Sequence, residues 1–345
     1  MAAADSAADR AAGGPAPLAL GRETPSLMAV DAHIRTYMNW DYSTTSSRLW
    51  ALYEKSKTAQ WNVATDIDWS HDVRFGEPLS GANAAGVLQV AALPGSPVPE
   101  PLWNRFRWEY QAWMVSQFLH GEQGALVTTA RLVETVPDMA AKIYAAAQVA
   151  DEARHVEAFA RYIEEKIGVS YPVNPGLQTL LRDLLSDSRW DVVYLGMQVI
   201  VEGIALAATR VASIGFGDPI ITSISRMIAR DEARHISFGL VALTGLYADA
   251  TSGELADRDA FLLEAIYLMS QRFTLREVWE NLGVDVDQGV RFAKTDPTMS
   301  SFRQLLFHKA VQVLQRIGLL SPKLRELLLA EALVRPDFLA TTLKQ

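Results

Sequence analysis

The sequence contains no cysteine among its 345 residues. This absence excludes disulfides, thiolate-held iron–sulfur or rubredoxin-type centres, and cysteine-ligated zinc. It also has no convincing dinucleotide fingerprint, because "GFGDPI" at residues 215 to 220 lacks the third glycine and belongs to no βαβ unit. Any electrons that a reaction consumes are therefore expected from a separate reductase or ferredoxin.

An excess of basic charge is absent as well. The chain has 32 Lys plus Arg against 40 Asp plus Glu, a formal net charge of -8, and no basic run. A nucleic-acid partner or an anionic membrane surface is therefore not expected. Residues 1 to 26 lack an apolar stretch of signal-peptide length, and no run of about 18 apolar residues occurs, so we expect a soluble, cytoplasmic protein.

The composition along the chain predicts a short tail and one large domain. Residues 1 to 26 are rich in Ala, Gly, Pro and Asp without periodicity, which is typical of a flexible tail. Residues 27 to 345 are expected to form a single domain, since 49% of the chain is apolar and can supply a sizeable core. Residues 61 to 70 ("WNVATDIDWS") indicate an ordered loop anchored by tryptophans, and residues 76 to 101 an irregular connection.

Helical periodicity accounts for most of the remaining chain, and no alternating strand of convincing length is found, so the predicted fold class is all-α. A first helical pattern covers Leu27–Gln60. The predicted bundle core, residues 103 to 247, has four long helices, and further helices follow it. The predicted ranges are Trp103–Glu134, Asp138–Ile167, Trp190–Ile214, Pro219–Tyr247, Glu254–Leu282, Ser300–Ile317 and Ser321–Leu333.

One pentapeptide, "DEARH", occurs twice, at residues 151 to 155 and 231 to 235. Each copy contains Glu-x-x-His, Glu152 with His155 and Glu232 with His235. Positions i and i+3 share one face of a helix, so each copy directs two metal-ligand types the same way. A single such pair is usually a solvated surface pair, but an exact repeat on apolar helices favours a metal site.

Two more glutamates stand in register with the repeat. Glu122 and Glu202 each precede the glutamate of a DEARH copy by 30 residues, which suits two helical arms of about four turns joined by a turn. Two such hairpins packed together bring four carboxylates and two imidazoles to one interior point. Burial of that much charge is prohibitive unless cations compensate it.

The pattern resembles the ferritin-like non-haem di-iron carboxylate superfamily. That superfamily includes the ribonucleotide reductase small subunit, fatty acyl desaturases, multicomponent monooxygenases and arylamine N-oxygenases. The resemblance implies a ferritin-like four-helix bundle with additional N- and C-terminal helices, two iron ions or a manganese–iron pair, dioxygen and a small-molecule substrate, and a homodimer. It implies six metal ligands, of which the second and fifth bridge the metals: Glu122, Glu152, His155, Glu202, Glu232 and His235.

The other letters of DEARH suggest a supporting role. A metal-bound imidazole usually donates its second N–H to a carboxylate. Asp151 is expected to reach His235, and Asp231 to reach His155, with Arg154 and Arg234 neutralising the two aspartates. The alternative is that these residues form ordinary surface ion pairs.

Small residues follow the predicted ligands Glu122 and Glu202 in the sequence, and they allow two interpretations. Close helix packing is one, and a substrate or dioxygen cavity beside the metals is the other. The small residues are Gly124, Ala125, Thr128, Thr129, Ala205 and Ala208. In the second reading Phe159, Leu195 and Val199 would line the cavity, although single apolar residues are more often plain core.

Departures from the subfamilies narrow the chemistry that the resemblance implies. Phe159 stands where the reductase small subunit has its radical tyrosine. Ala205 and Leu206 stand where hydroxylases and desaturases have a threonine, and Ile228 stands where arylamine N-oxygenases have a third histidine. We expect a di-iron monooxygenase that hydroxylates or N-oxygenates a small substrate. The alternatives are a ferritin-like iron-binding ferroxidase, a desaturase-type oxidase, or a structural bundle.

Overall fold

A computed structural model describes residues 28–43, 47–73 and 87–341. The chain divides into two units, Met1–Asp31 and Ala32–Gln345, and the elements below belong to the second. Across the described ranges the regular structure is helical, without a strand, so the all-α prediction is confirmed. The tail predicted for residues 1 to 26 lies outside the described residues.

From the second helix onward the helices follow one another through short connections, whereas a long segment separates the first helix from the second. In order they are α1 Ser47–Thr58, α2 Trp103–Thr135, α3 Met139–Tyr162, α4 Pro175–Ser186, α5 Trp190–Tyr194, α6 Glu202–Gly215, α7 Pro219–Leu243, α8 Ser252–Arg272, α9 Arg276–Leu282, α10 Val286–Thr295, α11 Pro297–Arg316, α12 Pro322–Ala330 and α13 Pro336–Thr341. Two π-helical segments extend them: Ile163–Ile167 continues α3, and Leu195–Val201 joins α5 to α6.

Local side-chain chemistry sets the helix ends. Asp138 and Asp218 cap α3 and α7, accepting hydrogen bonds from the backbone N–H groups of Ala141 (2.7 Å) and Ile220 (2.8 Å). Gly168 ends the α3 segment in the left-handed region, at φ 69°. The predicted boundaries of the four long helices therefore agree with the structure to within a few residues.

The four long helices form two hairpins that pack against each other. α2 pairs with α3, α6 pairs with α7, and α3 contacts α7 across the bundle. α1 lies against α3 and α7, and α11 covers α6. The approach of α11 is close because Gly203 has no side chain: a Cβ there would lie 3.1 Å from the Cβ of Ala310. These outer helices bury the faces of the bundle that a four-helix protein would expose.

The helical pattern expected for Leu27–Gln60 is wrong for residues 28–43, which form no helix. This segment instead makes hydrogen bonds to the end of α2. The N–H of Tyr37 donates to the carbonyl of Glu134 (3.1 Å), and the side-chain amide of Asn39 donates to the carbonyl of Pro137 (2.8 Å). Tertiary partners therefore satisfy backbone groups that a helix would have paired internally.

The C-terminal prediction also needs correction. The expected helix Glu254–Leu282 is two helices, because Leu275 adopts φ 58° between α8 and α9. α4 and α10 were not predicted. Each is short, 12 and 10 residues, and is capped by a side chain, Asn174 or Asp285.

One stretch, Trp190–Gly215, is long and apolar enough to cross a membrane by length and composition, and 94% of its most apolar window is buried inside the protein. It comprises α5, the π-helical segment Leu195–Val201 and α6, at the centre of the bundle. Burial on all sides explains its apolar character, since a helix surrounded by others has no solvent face.

Candidate metal centre

Each of the six predicted ligands lies on one of the four long helices and points inward. Glu122 is on α2, Glu152 and His155 are on α3, and the others follow on α6 and α7: Glu202, Glu232 and His235. All six are buried, the most exposed being Glu122 at 5%. The 30-residue spacing therefore does bring the glutamates of each hairpin together.

The first group of donor atoms surrounds His155. Its Nδ1 lies 3.1 Å from Glu122 Oε2, 3.2 Å from Glu152 Oε2 and 3.5 Å from Glu232 Oε1. These four residues offer donor atoms close enough together to hold one metal ion.

The second group surrounds His235. Its Nδ1 lies 3.2 Å from Glu152 Oε1 and 3.6 Å from Glu202 Oε2, and these three residues can hold a second ion. Glu152 belongs to both groups. Glu232, a member of the first, also reaches 3.8 Å from His235 Nδ1. The shared position of Glu152 agrees with the bridging role that the family resemblance implies.

Cations fit this arrangement on three counts. Both oxygens of Glu232, Oε2 of Glu152 and Nδ1 of His235 are buried without a hydrogen-bond partner, although such groups are normally satisfied. Imidazole nitrogens mixed with carboxylate oxygens suit iron and manganese. Four carboxylates carry four negative charges when ionised, which two divalent cations balance. The protein thus has a buried group of residues that can bind two metal ions.

Without bound cations the buried carboxylates repel one another, and burial together with this repulsion raises the pKa values of two of them. Burial and then the nearby Glu202 carboxylate raise the pKa of Glu152 to about 8, and the same causes raise the pKa of Glu232 well above its usual value. Burial by itself would lower the pKa of His155, but Glu122, Asp231 and Glu152 together raise it well above its usual value. The metal-free site therefore keeps protons that metal binding must release.

The two aspartates face the outer nitrogens of the histidines. His155 Nε2 lies 3.1 Å from Asp231 Oδ2, and His235 Nε2 lies 3.3 Å from Asp151 Oδ2. Donation from Nε2 to a carboxylate fixes the tautomer that leaves Nδ1 free for a metal. The cross-bundle pairing drawn from the sequence is therefore present.

The two arginines contact the same aspartates. Arg234 donates to Asp231 Oδ1 (2.5 Å) and to Asp151 Oδ2 (3.3 Å), and Arg154 pairs with Asp151. Both arginine side chains are largely buried, at 15% and 12% exposed. An ordinary surface ion pair does not describe them.

Three polar residues that donate hydrogen bonds to this network were not foreseen. The indole Nε1 of Trp61 donates to Asp231 Oδ2 (2.8 Å), and the Gln60 amide donates to Asp151 Oδ1 (3.3 Å). Gln148 Nε2 donates to Glu152 Oε1 (2.8 Å) and to Glu202 Oε1 (3.0 Å). No local pattern near residues 60 and 61 predicted the first two contacts, because this segment meets α3 and α7 only in the folded chain.

A second sequence repeat could have identified Gln148. "YAAAQVADE" at residues 144 to 152 and "YLGMQVIVE" at residues 194 to 202 share Tyr, Gln, Val and Glu at the same spacing. Only the first glutamine reaches a ligand. Gln198 lies in the π-helical segment, where i to i+5 bonding changes the rotation per residue, and its buried amide has no hydrogen-bond partner in the described part of the chain.

A cavity of about 30 Å³ lies between α2 and α6, beside Glu122 and Glu202. Ala125, Ala205 and Ala208 line it. For these three small residues, the interpretation that they border a cavity therefore agrees with the structure. Gly124 instead packs on Leu181, which a Cβ would approach to 2.4 Å.

Other residues proposed for the cavity wall lie elsewhere. Phe159, Leu195 and Val199 are fully buried core and do not line it, because their faces of α3 and of the π-helical segment turn toward other helices. Thr128 bonds to the carbonyl of Gly124 in its own helix (2.6 Å), and Thr129 is also absent from the wall.

Two further residues, one of them a histidine close to Glu122 in sequence, lie outside the two donor groups. The ring Nε2 of His120 meets the carbonyl oxygen of Tyr171 at 2.9 Å, away from the ligands. Ile228, in the position of a possible third histidine, is a fully buried apolar residue on α7. Within the described residues, the two donor groups contain only the six predicted side chains.

Solved structures resemble this chain at low identity. A variant of R2-like ligand-binding oxidase with an anaerobically reconstituted Mn/Fe cofactor is 19% identical, covering 80% of this chain and 95% of its own at a TM-score of 0.44. R2-like ligand-binding oxidase with an aerobically reconstituted metal cofactor after photoconversion is 17% identical, covering 84% and 92% at a TM-score of 0.39. No curated protein matches the chain.

A profile of one protein family matches a large part of the sequence. It is described as P-aminobenzoate N-oxygenase AurF and matches residues 128–318, more than half of the chain. The matched range contains five of the six ligands and begins after Glu122. The expectation of a non-haem di-metal oxygenase is confirmed at this level. The chain belongs to the P-aminobenzoate N-oxygenase AurF family.

Proposed function

We propose that the protein transfers one oxygen atom of dioxygen to a small organic substrate, with N-oxygenation of an amine or hydroxylation of carbon as the reaction. The observation that carries the proposal is the cavity beside the ligands: Glu122 and Glu202 belong to the metal centre and also line the cavity. A small, largely apolar space beside the metal-binding residues is what an oxygenase needs.

The roles of the chain's residues follow from their positions. Glu122, Glu152, His155 and Glu232 hold one ion, while Glu152 joins Glu202 and His235 at the other. When bound, the metal pair supplies the two-electron reduction of dioxygen.

The surrounding residues prepare this site. Asp151 and Asp231 hold the imidazole rings in one tautomer through Nε2. The alanines at positions 205 and 208 keep the cavity open where larger side chains would fill it. Ile204 and Phe118 complete an apolar wall that limits the access of water.

The reaction needs reducing equivalents that the chain does not carry. An amine, dioxygen, two electrons and two protons give a hydroxylamine and one water. With no cysteine in the sequence, a reductase or ferredoxin must donate the electrons for repeated turnover. We further propose that the enzyme is a cytoplasmic homodimer without a nucleic-acid or membrane partner, on the basis of its net charge of -8 and the family resemblance.

The test begins with anaerobic loading of the full chain with Fe(II). Exposure to isotopically labelled dioxygen and a small arylamine should give a product with one labelled oxygen. Its yield should stay near one per metal pair until a reductant is added. Elemental analysis should give about two metals per chain. A stoichiometry of one or zero contradicts the di-metal centre.

Two variants on α3 provide the matched comparison. Glu152→Gln removes a shared ligand, and we expect loss of metal and of product, while Glu157→Gln changes an exposed residue of the same helix and should leave both unchanged. If the loaded protein keeps oxidising and retaining iron far beyond two per chain, the ferroxidase alternative replaces the oxygenase.

A further inference from the structure

A second cavity lies beside the first, and the two share a wall residue. It has a volume of about 10 Å³ and lies where Tyr110 and Met114 of α2 face the C-terminal half of α6. Ala208 lines both cavities. In the first cavity residues 117–125 of α2 face residues 201–208. The two helices therefore run antiparallel along this seam, and the cavities follow one another between them.

The walls of the two cavities differ in charge. Three charged residues line the first cavity: Glu122, Glu202 and Arg272. Among the described residues, those that line the second cavity are apolar or glycine, with the single exception of Tyr110. Transfer of a charged group into such an apolar environment is costly. The second cavity is therefore suited to an uncharged ligand.

The hydroxyl group of Tyr110 has no hydrogen-bond partner among the described residues, although this side chain is only 1% exposed. Buried hydroxyls are normally paired, because an unpaired one has lost its bonds to water. The ring is held in place by Phe106 and Phe216, whose ring centroids each lie 6.1 Å from its own. Burial raises the pKa of Tyr110, so the hydroxyl keeps its proton and can donate it to an acceptor.

A water molecule is a poor partner for this hydroxyl. A buried water usually makes about three hydrogen bonds, and the described wall of the second cavity offers no polar side chain besides Tyr110. One acceptor atom on an otherwise apolar molecule fits better, because that atom needs a single donor. The unpaired hydroxyl and the apolar wall thus favour the same kind of ligand.

The separation of the cavities sets the length of such a ligand. Phe118 lines the first cavity and Tyr110 the second, eight residues apart on α2. Ile204 and Ala212 repeat this spacing on α6. Eight residues of α-helix rise about 12 Å, which suits a molecule of two linked aromatic rings. Ala208 stands between the cavities with only a methyl group as its side chain.

We propose that the second cavity is a subsite for the far end of the substrate, where the Tyr110 hydroxyl donates a hydrogen bond to an uncharged acceptor such as an ether or ketone oxygen. This inference rests on the proposed function and adds a substrate class. The class is elongated, largely apolar molecules with the oxidisable group at one end and a neutral acceptor at the other.

In this arrangement the oxidisable group lies in the first cavity beside Glu122 and Glu202, and the apolar body passes Ala208. Cavities of about 30 and 10 Å³ hold only water-sized molecules. Wall side chains must therefore move to admit the substrate. Met114 is suited to such movement, because its unbranched side chain adopts many conformations.

Two matched amines provide the first test. Para-(para-methoxyphenyl)aniline and para-(para-ethylphenyl)aniline have nearly the same shape, but only the first carries an acceptor oxygen at its far end. Each is titrated by calorimetry into the full chain loaded with Mn(II). We expect the methoxy compound to bind about 3- to 10-fold more tightly than the ethyl compound, because it gains one neutral hydrogen bond.

Aniline, which lacks the second ring, should bind at least about tenfold more weakly than either long amine, because it leaves the second cavity unfilled. The proposal is overturned if the two long amines bind equally well or if aniline binds as tightly as they do. It is also overturned if neither long amine binds at millimolar concentration.

Variants of the second cavity locate the effect. Tyr110→Phe should make the affinities of the two long amines equal to within about twofold, because it removes the donor. Ala212→Leu fills the second cavity alone and should weaken both long amines at least about tenfold, with aniline binding unchanged. The control is Tyr194→Phe, since Tyr194 is also fully buried with no partner for its hydroxyl in the described chain, but lies outside both cavity walls. This control should preserve the preference for the methoxy compound.

The two proposals fail in different ways. Circular dichroism and metal content identify a variant that does not fold, in which case the two long amines compared on the unmodified protein decide. If the methoxy preference depends on Tyr110 but no amine yields an oxygenated product, the subsite stands and the oxygenase assignment falls. If amines are oxygenated but the methoxy preference is absent or survives Tyr110→Phe, the oxygenase stands and the subsite falls.

Discussion

Replacing Asp231 with Ala should weaken metal binding about 10- to 100-fold, or roughly 1.4 to 2.7 kcal/mol. Asp231 is 1% exposed and does not belong to either donor group, so its effect must act through His155. Its Oδ2 accepts from His155 Nε2 at 3.1 Å. Without this acceptor the imidazole loses its fixed tautomer and orientation, and the histidine binds metal less well.

The same substitution should also lower the free energy of unfolding, by about 1 to 3 kcal/mol. Trp61 Nε1, 2.8 Å from Asp231, and Arg234, 2.5 Å away, both lose an acceptor. Arg234 keeps Asp151 at 3.3 Å, which limits the loss. Circular dichroism during denaturation measures this part, and anaerobic Fe(II) titration against a chelator measures the metal affinity.

Two controls separate the contributions. Trp61→Phe removes only the indole donor and should reduce stability with little effect on metal affinity, because the His155 to Asp231 bond remains. Asp183→Ala changes an aspartate whose side chain is 41% exposed and should change neither quantity. The reasoning is refuted if Asp231→Ala binds metal within twofold of the unmodified protein, or if Trp61→Phe weakens binding as much.

Metal-free protein should lose thermal stability as the pH rises from 6 to 9. The pKa of Glu152 is raised to about 8 and that of His235 to about 10, so the folded state holds more protons than the unfolded chain in this pH range. A melting temperature that stays constant or rises with pH would contradict this reasoning. Metal-loaded protein should not show the decline. Gly239→Ala should lower the free energy of unfolding by about 1 to 3 kcal/mol, because the added Cβ would lie 2.6 Å from the Cβ of Gln198. The control Gly121→Ala places its Cβ in open space and should be neutral or stabilising by up to about 1 kcal/mol. Equal effects of the two substitutions on chemical denaturation would contradict the packing argument. Deleting residues 1 to 24 should leave the melting temperature and metal content unchanged, since their composition supports few buried contacts, and a drop of several degrees would show that the tail docks.

The sequence alone determined the helical fold and the set of candidate ligands. The DEARH repeat needs only the period of the α-helix to direct Glu152 with His155, and Glu232 with His235, to one face. The 30-residue interval needs only a short turn to bring Glu122 to Glu152. Because these relations are local or nearly so, they can be read without knowledge of the rest of the chain.

Tertiary structure decided which other groups meet that centre. Trp61 reaches Asp231 across 170 residues, and Arg272 reaches the carbonyl of Gln117 across 155. No periodicity encodes such contacts, because they depend on how outer helices and loops pack on the bundle. The same holds for Phe159, which faces the core rather than the cavity. Helix period gives the face that a residue shares with its neighbours, but only packing decides whether that face meets a cavity or another helix.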